Sequence, residues 1–251
     1  MSIKERPAFP ARVQGVGEQP KPRPVAPAIA QPQGIGLDSG AVRQRMVDKL
    51  MGLGVRDAAV LDAMASVERH RFVDSALANQ AYEDTSLPIG LGQTISKPSV
   101  VARMAELLRN GSSDKLGRVL EIGTGCGYQA AVLSQLSSEV YSIERLRGLH
   151  DKARANLRNL FLRNVHLLFG DGMLGFPKGA PYVGIIAAAG GEAIPPAWIE
   201  QLAVGGRLVA PVAGSGSAGQ QVLMVVDKTP QGLRQTVLEA VHFVPLKSGF
   251  A

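Results

Sequence analysis

The second half of the chain alternates between short apolar runs and longer segments in which apolar residues recur at helical spacing. Short apolar runs suit buried strands, and the longer amphipathic segments suit helices. Repeated strand–helix units build a parallel sheet with helices on both faces. The pattern therefore predicts an α/β fold with a doubly wound, mostly parallel sheet, closed by an antiparallel strand. The predicted strands are 118–122, 139–143, 165–169, 183–187 and 207–211 with a closing pair at 222–227 and 238–244, and the predicted helices are 128–136, 147–160 and a segment around 199–202.

The first half of the chain has a mainly helical pattern. Apolar residues recur at helical spacing in three segments, which are 42–51, 60–67 and 99–109. Residues 69–98 are polar and punctuated by glycine and proline, which predicts a long loop. Long loops within compact domains often carry function. We therefore expect N-terminal helices and a substrate-binding loop at 38–110, followed by the sheet-containing core at 116–251.

Residues 1–37 are rich in proline, alanine, glutamine and glycine. Such a segment buries too little apolar surface to offset its ordering entropy, which predicts a disordered tail ahead of a folded domain at 38–251. The tail has five Lys/Arg and two Asp/Glu residues, so it carries half of the formal net charge of +6. Because these charges are dispersed, they favour a solvated surface over a nucleic-acid arm.

The composition narrows the class of protein further. Hydrophobic residues make up 45% of the chain, as in soluble globular proteins, and no apolar run has the length of a membrane span or a secretory signal. Cys126 is the only cysteine, which excludes an internal disulfide and a cysteine-based zinc cluster and favours the cytoplasm. His70, His150, His166 and His242 show no metal-ligand spacing, so we expect no metal site.

The strongest chemical signal lies where the first predicted strand of the core ends. Residues 119–122 read VLEI and lead into GTGCG at 123–127, here called the glycine loop, before a helix begins at Tyr128. Glycine permits backbone angles and a close ligand approach that a Cβ would block. The carboxyl edge of a parallel sheet is where open α/β folds bind ligands. The same loop taken alone is also compatible with a plain strand–helix turn.

Two acidic positions follow the next two predicted strands. Glu144 lies about 20 residues after the glycines, where an acidic side chain can accept both hydrogen bonds of a ribose diol. Asp171 and Gly172 follow the third strand, where an aspartate can recognise an adenine amino group. Taken singly, Glu144 is compatible with an exposed helix cap and 171–172 with an ordinary turn. Three such features, each directly after a strand, predict a nucleotide-like ligand.

The details of the turn favour S-adenosylmethionine over a dinucleotide. In the dinucleotide fingerprint two residues separate the second and third glycines, which would place the third at Tyr128, whereas this chain has Gly127. The first strand also ends in acidic Glu121, which would repel a pyrophosphate. S-adenosylmethionine has a cationic sulfonium and an amino group and no phosphate. We therefore expect it as the cofactor, with S-adenosylhomocysteine as its product.

The chain resembles the bacterial protein-L-isoaspartate O-methyltransferases, which are class I S-adenosylmethionine-dependent enzymes with a Rossmann-like core, over roughly residues 40–247. The most specific part is a Gln-Thr-Ile-Ser run that generic methyltransferases do not share. The matching segments are Ala81-Tyr82-Glu83-Asp84, Leu87-Pro88-Ile89-Gly90, Gly92-Gln93-Thr94-Ile95-Ser96, 120–125 with Gly127-Tyr128, Gly170-Asp171-Gly172, Ile194-Pro195-Pro196, Gly205-Gly206-Arg207-Leu208 and Phe243-Val244-Pro245-Leu246.

The resemblance implies a protein-repair enzyme that methylates the free carboxylate of L-isoaspartyl residues in damaged proteins and peptides. Ser96 matches the position assigned as catalytic, and we expect it to hydrogen-bond the substrate carboxylate, with a helix cap as its alternative role. This carboxylate is already ionised at neutral pH, so no general base is required. The cofactor-binding residues expected from the motifs and the resemblance are Thr94, Ile95, Ser96, Glu121, Gly123, Gly125, Gly127, Glu144, Asp171 and Gly172.

Some features depart from the family pattern or leave alternatives open. Val183 stands where the family has an aspartate, and loss of this acid would alter hydrogen bonding near the pocket. Cys126 in the glycine loop is interpreted as a packing residue. The alternatives are methylation of another carboxylate or a small molecule, since one scaffold hosts many chemistries, and a non-catalytic cofactor-binding module. We expect a cytoplasmic monomer whose partners are isoaspartyl proteins and peptides, without nucleic acid or membrane.

Overall fold

The computed structural model describes residues 40–214 and 220–251, so the predicted tail at 1–37 lies outside the described residues. Helices come first, and strands alternate with helices from the middle of the chain onward. The elements are α1 (Gly40–Gly52), α2 (Ala58–Ser66), β1 (Leu87–Gly90), β2 (Gln93–Ile95), α3 (Pro98–Arg109), β3 (Leu116–Ile122), α4 (Tyr128–Leu136), β4 (Ser137–Glu144), α5 (Arg147–Arg158), β5 (Val165–Phe169), β6 (Tyr182–Ala187), α6 (Pro196–Gln201), β7 (Leu202–Ala213), β8 (Gln221–Thr229) and β9 (Gly232–Val241).

Strands β3 to β9 form a seven-stranded sheet in the order β5-β4-β3-β6-β7-β8-β9. Neighbouring strands in the part β5-β4-β3-β6-β7 are parallel, and β8 pairs antiparallel with both β7 and β9. Val119 of β3 lies between Val140 of β4 and Gly184 of β6. The chain therefore leaves β3 in one direction along the sheet and returns on its other side at β6. This topology confirms the predicted mostly parallel sheet with an antiparallel closing strand.

The two faces of β3 pack against different helices. Val119 packs with Met104 of α3 and Leu133 of α4, whereas Leu120 lies in the cluster that contains Trp198 of α6. All five side chains are buried. Successive residues of a strand point to opposite faces, so adjacent apolar residues require cover on both sides. The helices on both faces of the sheet confirm the doubly wound prediction.

The segment 69–98 was expected to be a loop, and that prediction is wrong for its second half, which contains an antiparallel hairpin of β1 and β2. Leu87, Ile89 and Ile95 of this hairpin are buried. Leu91 adopts a positive φ of 52° in the tight turn that joins the strands. The alternation is too short to distinguish from a loop in the sequence, and the apolar positions find partners only after the N-terminal helices have packed.

The three predicted N-terminal helices are confirmed as α1, α2 and α3. They share one core cluster, to which Leu50, Met64 and Val101 contribute. The last strand, β9, begins at Gly232, earlier than the predicted 238–244. Most of its residues are exposed and show no apolar alternation, so the hydrophobic pattern does not mark where the strand begins. In the described residues, no helix combines the length and apolar content needed to cross a bilayer.

Candidate active site

A cavity of about 240 Å³ opens at the carboxyl ends of β3, β4 and β6. Strand order reverses between β3 and β6, and open α/β sheets bind their ligands at this switch point. Separate parts of the chain contribute to the cavity wall. These are the hairpin with the residues after it, the glycine loop, the ends of β4 and β6, and a segment near the C-terminus, at 93–96, 122–126, 143–146, 188–189 and 244–247.

The glycine loop has a backbone conformation that other residues rarely adopt. Gly123, Gly125 and Gly127 have φ values of 91°, 57° and 90°. The N–H of Gly123 donates to the carbonyl of Ile143 at 2.9 Å, which binds the loop to the end of β4. A Cβ at Gly127 would lie 3.1 Å from Cδ1 of Leu157. The loop therefore presents its backbone to the cavity on one side and packs closely against α5 on the other.

Glu144 connects the glycine loop with the start of α5. Its Oε2 accepts a hydrogen bond from the N–H of Gly125 and its Oε1 accepts one from the N–H of Leu146, both at 2.9 Å. The side chain lines the cavity and is only 5% exposed, which rules out the exposed helix cap considered from the sequence. Each carboxylate oxygen has two lone pairs, so both oxygens retain acceptor capacity. The geometry therefore suits the predicted contact with a ribose diol.

Glu121 lies behind the glycine loop and does not line the cavity. Its Oε2 accepts a hydrogen bond from the hydroxyl of Ser142, whose Oγ is also 2.6 Å from Oγ1 of Thr124. Burial raises the pKa of Glu121 to about 8, while the Ser142 hydroxyl opposes this shift. The carboxyl group is therefore mostly protonated at neutral pH. The argument that a negative Glu121 repels a pyrophosphate needs correction, because a protonated carboxyl group carries no charge.

Asp171 was expected to contact the adenine, and each oxygen of its carboxylate accepts one hydrogen bond from a backbone N–H group. Oδ1 accepts from the N–H of Met173 at 2.8 Å, and Oδ2 accepts from the N–H of Gly249 at 2.7 Å. Asp171 is also not among the residues of the cavity wall. Its second hydrogen bond attaches the C-terminal segment, of which 244–247 line the cavity. Asp171 thus holds a segment of the cavity wall in place, and its predicted adenine contact stays a prediction, because both oxygens retain acceptor capacity.

Gly172 lies at the cavity wall as predicted. A Cβ at this position would come within 2.6 Å of Cγ2 of Ile122, so the close packing of this turn against the end of β3 requires glycine. The carbonyl of Gly172 accepts a hydrogen bond from Nε1 of Trp198 at 2.8 Å. Gly172 is thereby held between the cavity and the buried indole.

Ser96 lines the cavity with its neighbours Thr94 and Ile95. The cap position of α3 is occupied by Lys97, which forms no side-chain capping bond. The carboxylate of Asp84 caps the helix instead, accepting from the N–H and the hydroxyl of Ser99, both at 2.8 Å. The capping role considered for the Ser96 hydroxyl is therefore wrong, and this hydroxyl is left to the cavity.

Comparison with known proteins decides the family. The family described as protein-L-isoaspartate(D-aspartate) O-methyltransferase matches residues 41–251. The chain belongs to this family. A protein-L-isoaspartate O-methyltransferase of Methylibium petroleiphilum is 57% identical, with 99% of each chain covered. One of Dechloromonas aromatica is also 57% identical, over 86% of this chain and 98% of that protein.

Solved structures agree with the family assignment. A protein-L-isoaspartate O-methyltransferase structure is 30% identical, with a TM-score of 0.74, over 82% of this chain and 66% of that one. A Plasmodium falciparum structure titled as this enzyme in complex with S-adenosyl-L-homocysteine has a TM-score of 0.68 at 23% identity, over 82% of this chain and 98% of that one. Because of its low identity, the Plasmodium falciparum structure supports only the fold of this chain. Family membership confirms the predicted protein-L-isoaspartate O-methyltransferase activity with S-adenosylmethionine as cofactor.

The predicted site residues of this family member separate into two groups. Those at the cavity wall are Thr94, Ile95, Ser96, Gly123, Gly125, Glu144 and Gly172. Glu121, Gly127 and Asp171 lie behind the wall. The cofactor contacts expected of these three residues stay predictions. All three support the residues that form the wall.

Sequence reasoning missed several residues that shape the site of this methyltransferase. The matched Phe243-Val244-Pro245-Leu246 segment was not expected to form the cavity wall, yet Val244 and Leu246 line it. Arg69, in a 3₁₀ turn before the hairpin, is buried beside Ser96, and no motif pointed to it. Asp84 belongs to a matched segment, but its capping of α3 was not foreseen.

Two unusual residues of this family member have structural explanations. Cys126 is buried, and burial raises the pKa of its thiol, in agreement with a packing role. Val183 lies at the beginning of β6, where it packs near Gly117, and it does not line the cavity. The cavity lies at the other end of this strand. The expectation that Val183 alters hydrogen bonding near the pocket is therefore wrong.

Proposed function

We propose that this family member methylates the free α-carboxylate of L-isoaspartyl residues in damaged proteins and peptides. The observation that carries the proposal is a single cavity that joins the glycine loop and Glu144 with the segment 94–96. A methyl donor and a carboxylate acceptor need adjacent sites that hold their reacting atoms in line. The family name and the close relatives support the same acceptor.

The residues present fit S-adenosylmethionine. When bound, this cofactor supplies an electrophilic methyl group on a sulfonium sulfur. We assign the ribose hydroxyls to Glu144, whose oxygens retain acceptor capacity. Gly123, Gly125 and Gly172 leave room for close approach of the cofactor to the backbone, because each would otherwise carry a Cβ near the cavity wall.

The acceptor carboxylate requires orientation more than activation. Its unperturbed pKa is near 4, so it is ionised at neutral pH and its oxygen is already nucleophilic. We assign Ser96 a hydrogen bond from its hydroxyl to one carboxylate oxygen, which directs the other toward the methyl group. The apolar side chains of Ile89, Leu91 and Leu246 line the same cavity. Positioning of this kind can supply several kcal/mol of rate acceleration.

The other functions considered from the sequence have less support. The non-catalytic module depended on Val183, which lies away from the cavity. Methylation of a different small molecule gives no role to the open groove beside Ser96, which is lined by Ser86, Lys97 and His242 and suits an extended peptide. We further propose a cytoplasmic monomer that binds no nucleic acid, consistent with the sole cysteine and the dispersed charge.

The test is methyl transfer from labelled S-adenosylmethionine to a matched pair of peptides that differ only in L-isoaspartate or L-aspartate at one position. We expect a base-labile methyl ester on the isoaspartyl peptide alone. Equal labelling of both peptides would refute the proposed acceptor. Binding of S-adenosylhomocysteine without transfer to either peptide would refute it in favour of another acceptor or a binding role.

A further inference from the structure

Arg69 is a fully buried arginine that the proposed chemistry does not use. It lies in the short 3₁₀ turn Arg69–Phe72 between α2 and the hairpin. Its Nε donates to the carbonyl of Ala81 at 2.8 Å, and its Nη2 donates to the carbonyl of Ser96 at 2.7 Å. One planar group therefore binds the beginning and the end of the segment that contains the hairpin.

The same guanidinium contacts the cofactor side of the cavity. Its central carbon lies 4.8 Å from the ring centroid of Tyr128, which is the first residue of α4 and follows the glycine loop directly. Phe72, in the same 3₁₀ turn as Arg69, packs edge-on against the Tyr128 ring, with the two ring centroids 5.5 Å apart. Tyr128 and Ser96 both line the cavity. Arg69 thus touches the structures that hold the two reactants.

Burial of a cation at this position carries a desolvation cost, which the contacts of Arg69 must offset. Among the described residues no carboxylate forms an ion pair with Arg69, and the groups that favour its charge include the Tyr128 side chain and, at longer range, the Asp84 carboxylate. Desolvation lowers the pKa of the group, which reflects the free-energy cost of burying the charge. Buried ionic groups are often replaced by apolar residues of similar volume without loss of stability. The rigid, forked donor geometry of arginine is what an apolar side chain lacks.

We propose that Arg69 is a positioning residue that fixes the backbone of Ser96 relative to the glycine loop, and thereby sets the alignment of acceptor and methyl donor. This inference rests on the proposed function. The proposal predicts that loss of the Arg69 guanidinium reduces turnover more than it reduces cofactor affinity. A displacement of about 1 Å between reacting groups can cost on the order of 100-fold in rate.

Arg109 provides a matched control within the chain. It is also a buried arginine, and it donates to the carboxylate of Asp57 and to the carbonyls of Ser112 and Asp114. Like Arg69 it is not part of the cavity wall, but none of its hydrogen bonds reaches the segment 94–96. Substitution of Arg109 therefore reports on the loss of a buried guanidinium without a connection to Ser96.

The experiment compares Arg69→Met and Arg69→Lys with Arg109→Met and Arg109→Lys in the full chain. For each protein kcat and KM are measured with an isoaspartyl peptide, together with Kd for S-adenosylhomocysteine and the melting temperature. Activity is measured at least 10 °C below each melting temperature. We expect Arg69→Met to lose roughly 10- to 100-fold in kcat, with Kd changed less than about threefold. Lysine at position 69 restores part of kcat, because it retains one donor for the Ser96 carbonyl.

The Arg109 variants are expected to lower the melting temperature and to keep kcat within about twofold. Unchanged kcat in Arg69→Met, or an equal loss of kcat in the Arg109 variants, would overturn the proposal. Should Arg69→Met fail to fold, Arg69→Lys decides alone, and a wild-type kcat in that variant overturns it. Failure of the proposed function is distinguishable, because the unsubstituted protein would then show no turnover of the isoaspartyl peptide.

Discussion

Two glutamates at the ends of adjacent strands show how surroundings decide the role of a residue. Glu144 accepts hydrogen bonds from two backbone N–H groups and keeps lone pairs for the cavity. Glu121 accepts a hydrogen bond from the Ser142 hydroxyl, and the effect of burial on its pKa outweighs the opposing effects of Ser142 and Gln129. One residue therefore serves as a hydrogen-bond acceptor at the cavity wall, and the other holds a proton behind the wall.

Replacement of Glu144 by alanine is expected to weaken binding of S-adenosylhomocysteine. The variant loses hydrogen bonds to a charged acceptor, which are worth about 1.5–3 kcal/mol, so Kd should rise by at least roughly 10-fold. Titration calorimetry measures the change. Glu139→Ala is the control, since Glu139 lies on the same strand and pairs with His166 away from the cavity. Equal affinities for the Glu144 variant and the unsubstituted protein would disprove the ribose contact.

Replacement of Ser96 by alanine tests the acceptor side of the same cavity. We expect kcat for the isoaspartyl peptide to fall by roughly 10-fold, the equivalent of one hydrogen bond of about 1–1.5 kcal/mol, with the affinity for S-adenosylhomocysteine retained. Steady-state kinetics and calorimetry separate the two effects. Ser113→Ala is the control, because Ser113 is exposed and outside the cavity. A turnover equal to that of the control would leave Ser96 without a role in orientation.

Replacement of Glu121 by glutamine tests the buried proton. The folded pKa of about 8 exceeds the ordinary value of 4.5, so the folded state retains a proton that the unfolded state releases between these values. The free energy of unfolding then falls as pH rises through this window, by up to about 1.4 kcal/mol per pH unit. Glutamine does not titrate, so Glu121→Gln should gain roughly 2 kcal/mol relative to the unsubstituted protein between pH 5.5 and 7.5.

Urea unfolding at these two pH values measures the Glu121 effect. The conservative control is Glu192→Gln, because Glu192 is exposed to solvent and has no histidine or arginine partner among the described ion pairs. We expect its stability to follow that of the unsubstituted protein. Parallel pH profiles for the Glu121 variant and the unsubstituted protein would show that the carboxyl group is ionised in the folded state.

At the scale of elements, the hairpin and α3 form one unit held by side chains from outside the helix. Asp84 precedes β1 and caps α3 through Ser99, while Lys152 of α5 donates to the carbonyl of Ile89 in β1 at 2.8 Å. The hairpin is therefore attached to α5 through Ile89 and to α3 through Asp84. This fixes the segment 94–96 that connects it to α3.

Replacement of Asp84 by alanine is expected to destabilise this unit. Loss of a helix cap costs about 1–2 kcal/mol, which lowers the melting temperature by roughly 2–8 °C for a domain of this size. Differential scanning calorimetry measures the change. The comparison is Asp74→Ala, which removes a cap from the short exposed 3₁₀ helix Ser75–Gln80 and should have a smaller effect. An equal effect of the two substitutions would argue against a special role for the Asp84 cap.

Features formed by residues close in sequence could be predicted, and features formed by residues distant in sequence could not. The glycine loop and Glu144 were predicted because strand, turn and acid are local features of the sequence. The hairpin was missed because its few apolar residues acquire meaning only against the packed helices. Arg69 and Asp84 were missed for the same reason: their partners lie 12 to 27 and 15 residues away. Position along the chain does not reveal such contacts.

At the scale of the whole molecule, the cavity is assembled from parts that are distant in sequence. The N–H of Leu246 donates to the carbonyl of Gly190 at 2.8 Å, and Nε of Arg145 donates to the carbonyl of Gly249 at 2.9 Å. With the Asp171–Gly249 bond, these contacts attach the C-terminal segment to the ends of β4, β5 and β6. The cavity wall thus depends on completion of the entire sheet.

Deletion of residues 1–37 is the corresponding test at the opposite end of the chain. Their composition predicts a segment that contributes no core, so we expect a melting temperature within about 1 °C of the full chain and an unchanged kcat. Calorimetry and the peptide assay measure both quantities. Deletion of residues 1–50 is the destabilising comparison, because it removes the buried side chains of α1. A large loss of stability on deleting 1–37 would contradict the predicted tail.

Trp198 is the only tryptophan of the chain, and its indole N–H is bonded to the carbonyl of Gly172 at the cavity wall. Intrinsic fluorescence excited near the red edge of protein absorption therefore comes from one buried fluorophore. Its emission reports on the backbone that the cofactor approaches. Occupancy of the cavity is expected to change that emission, so ligand binding becomes an optical signal that needs no label and no substrate turnover.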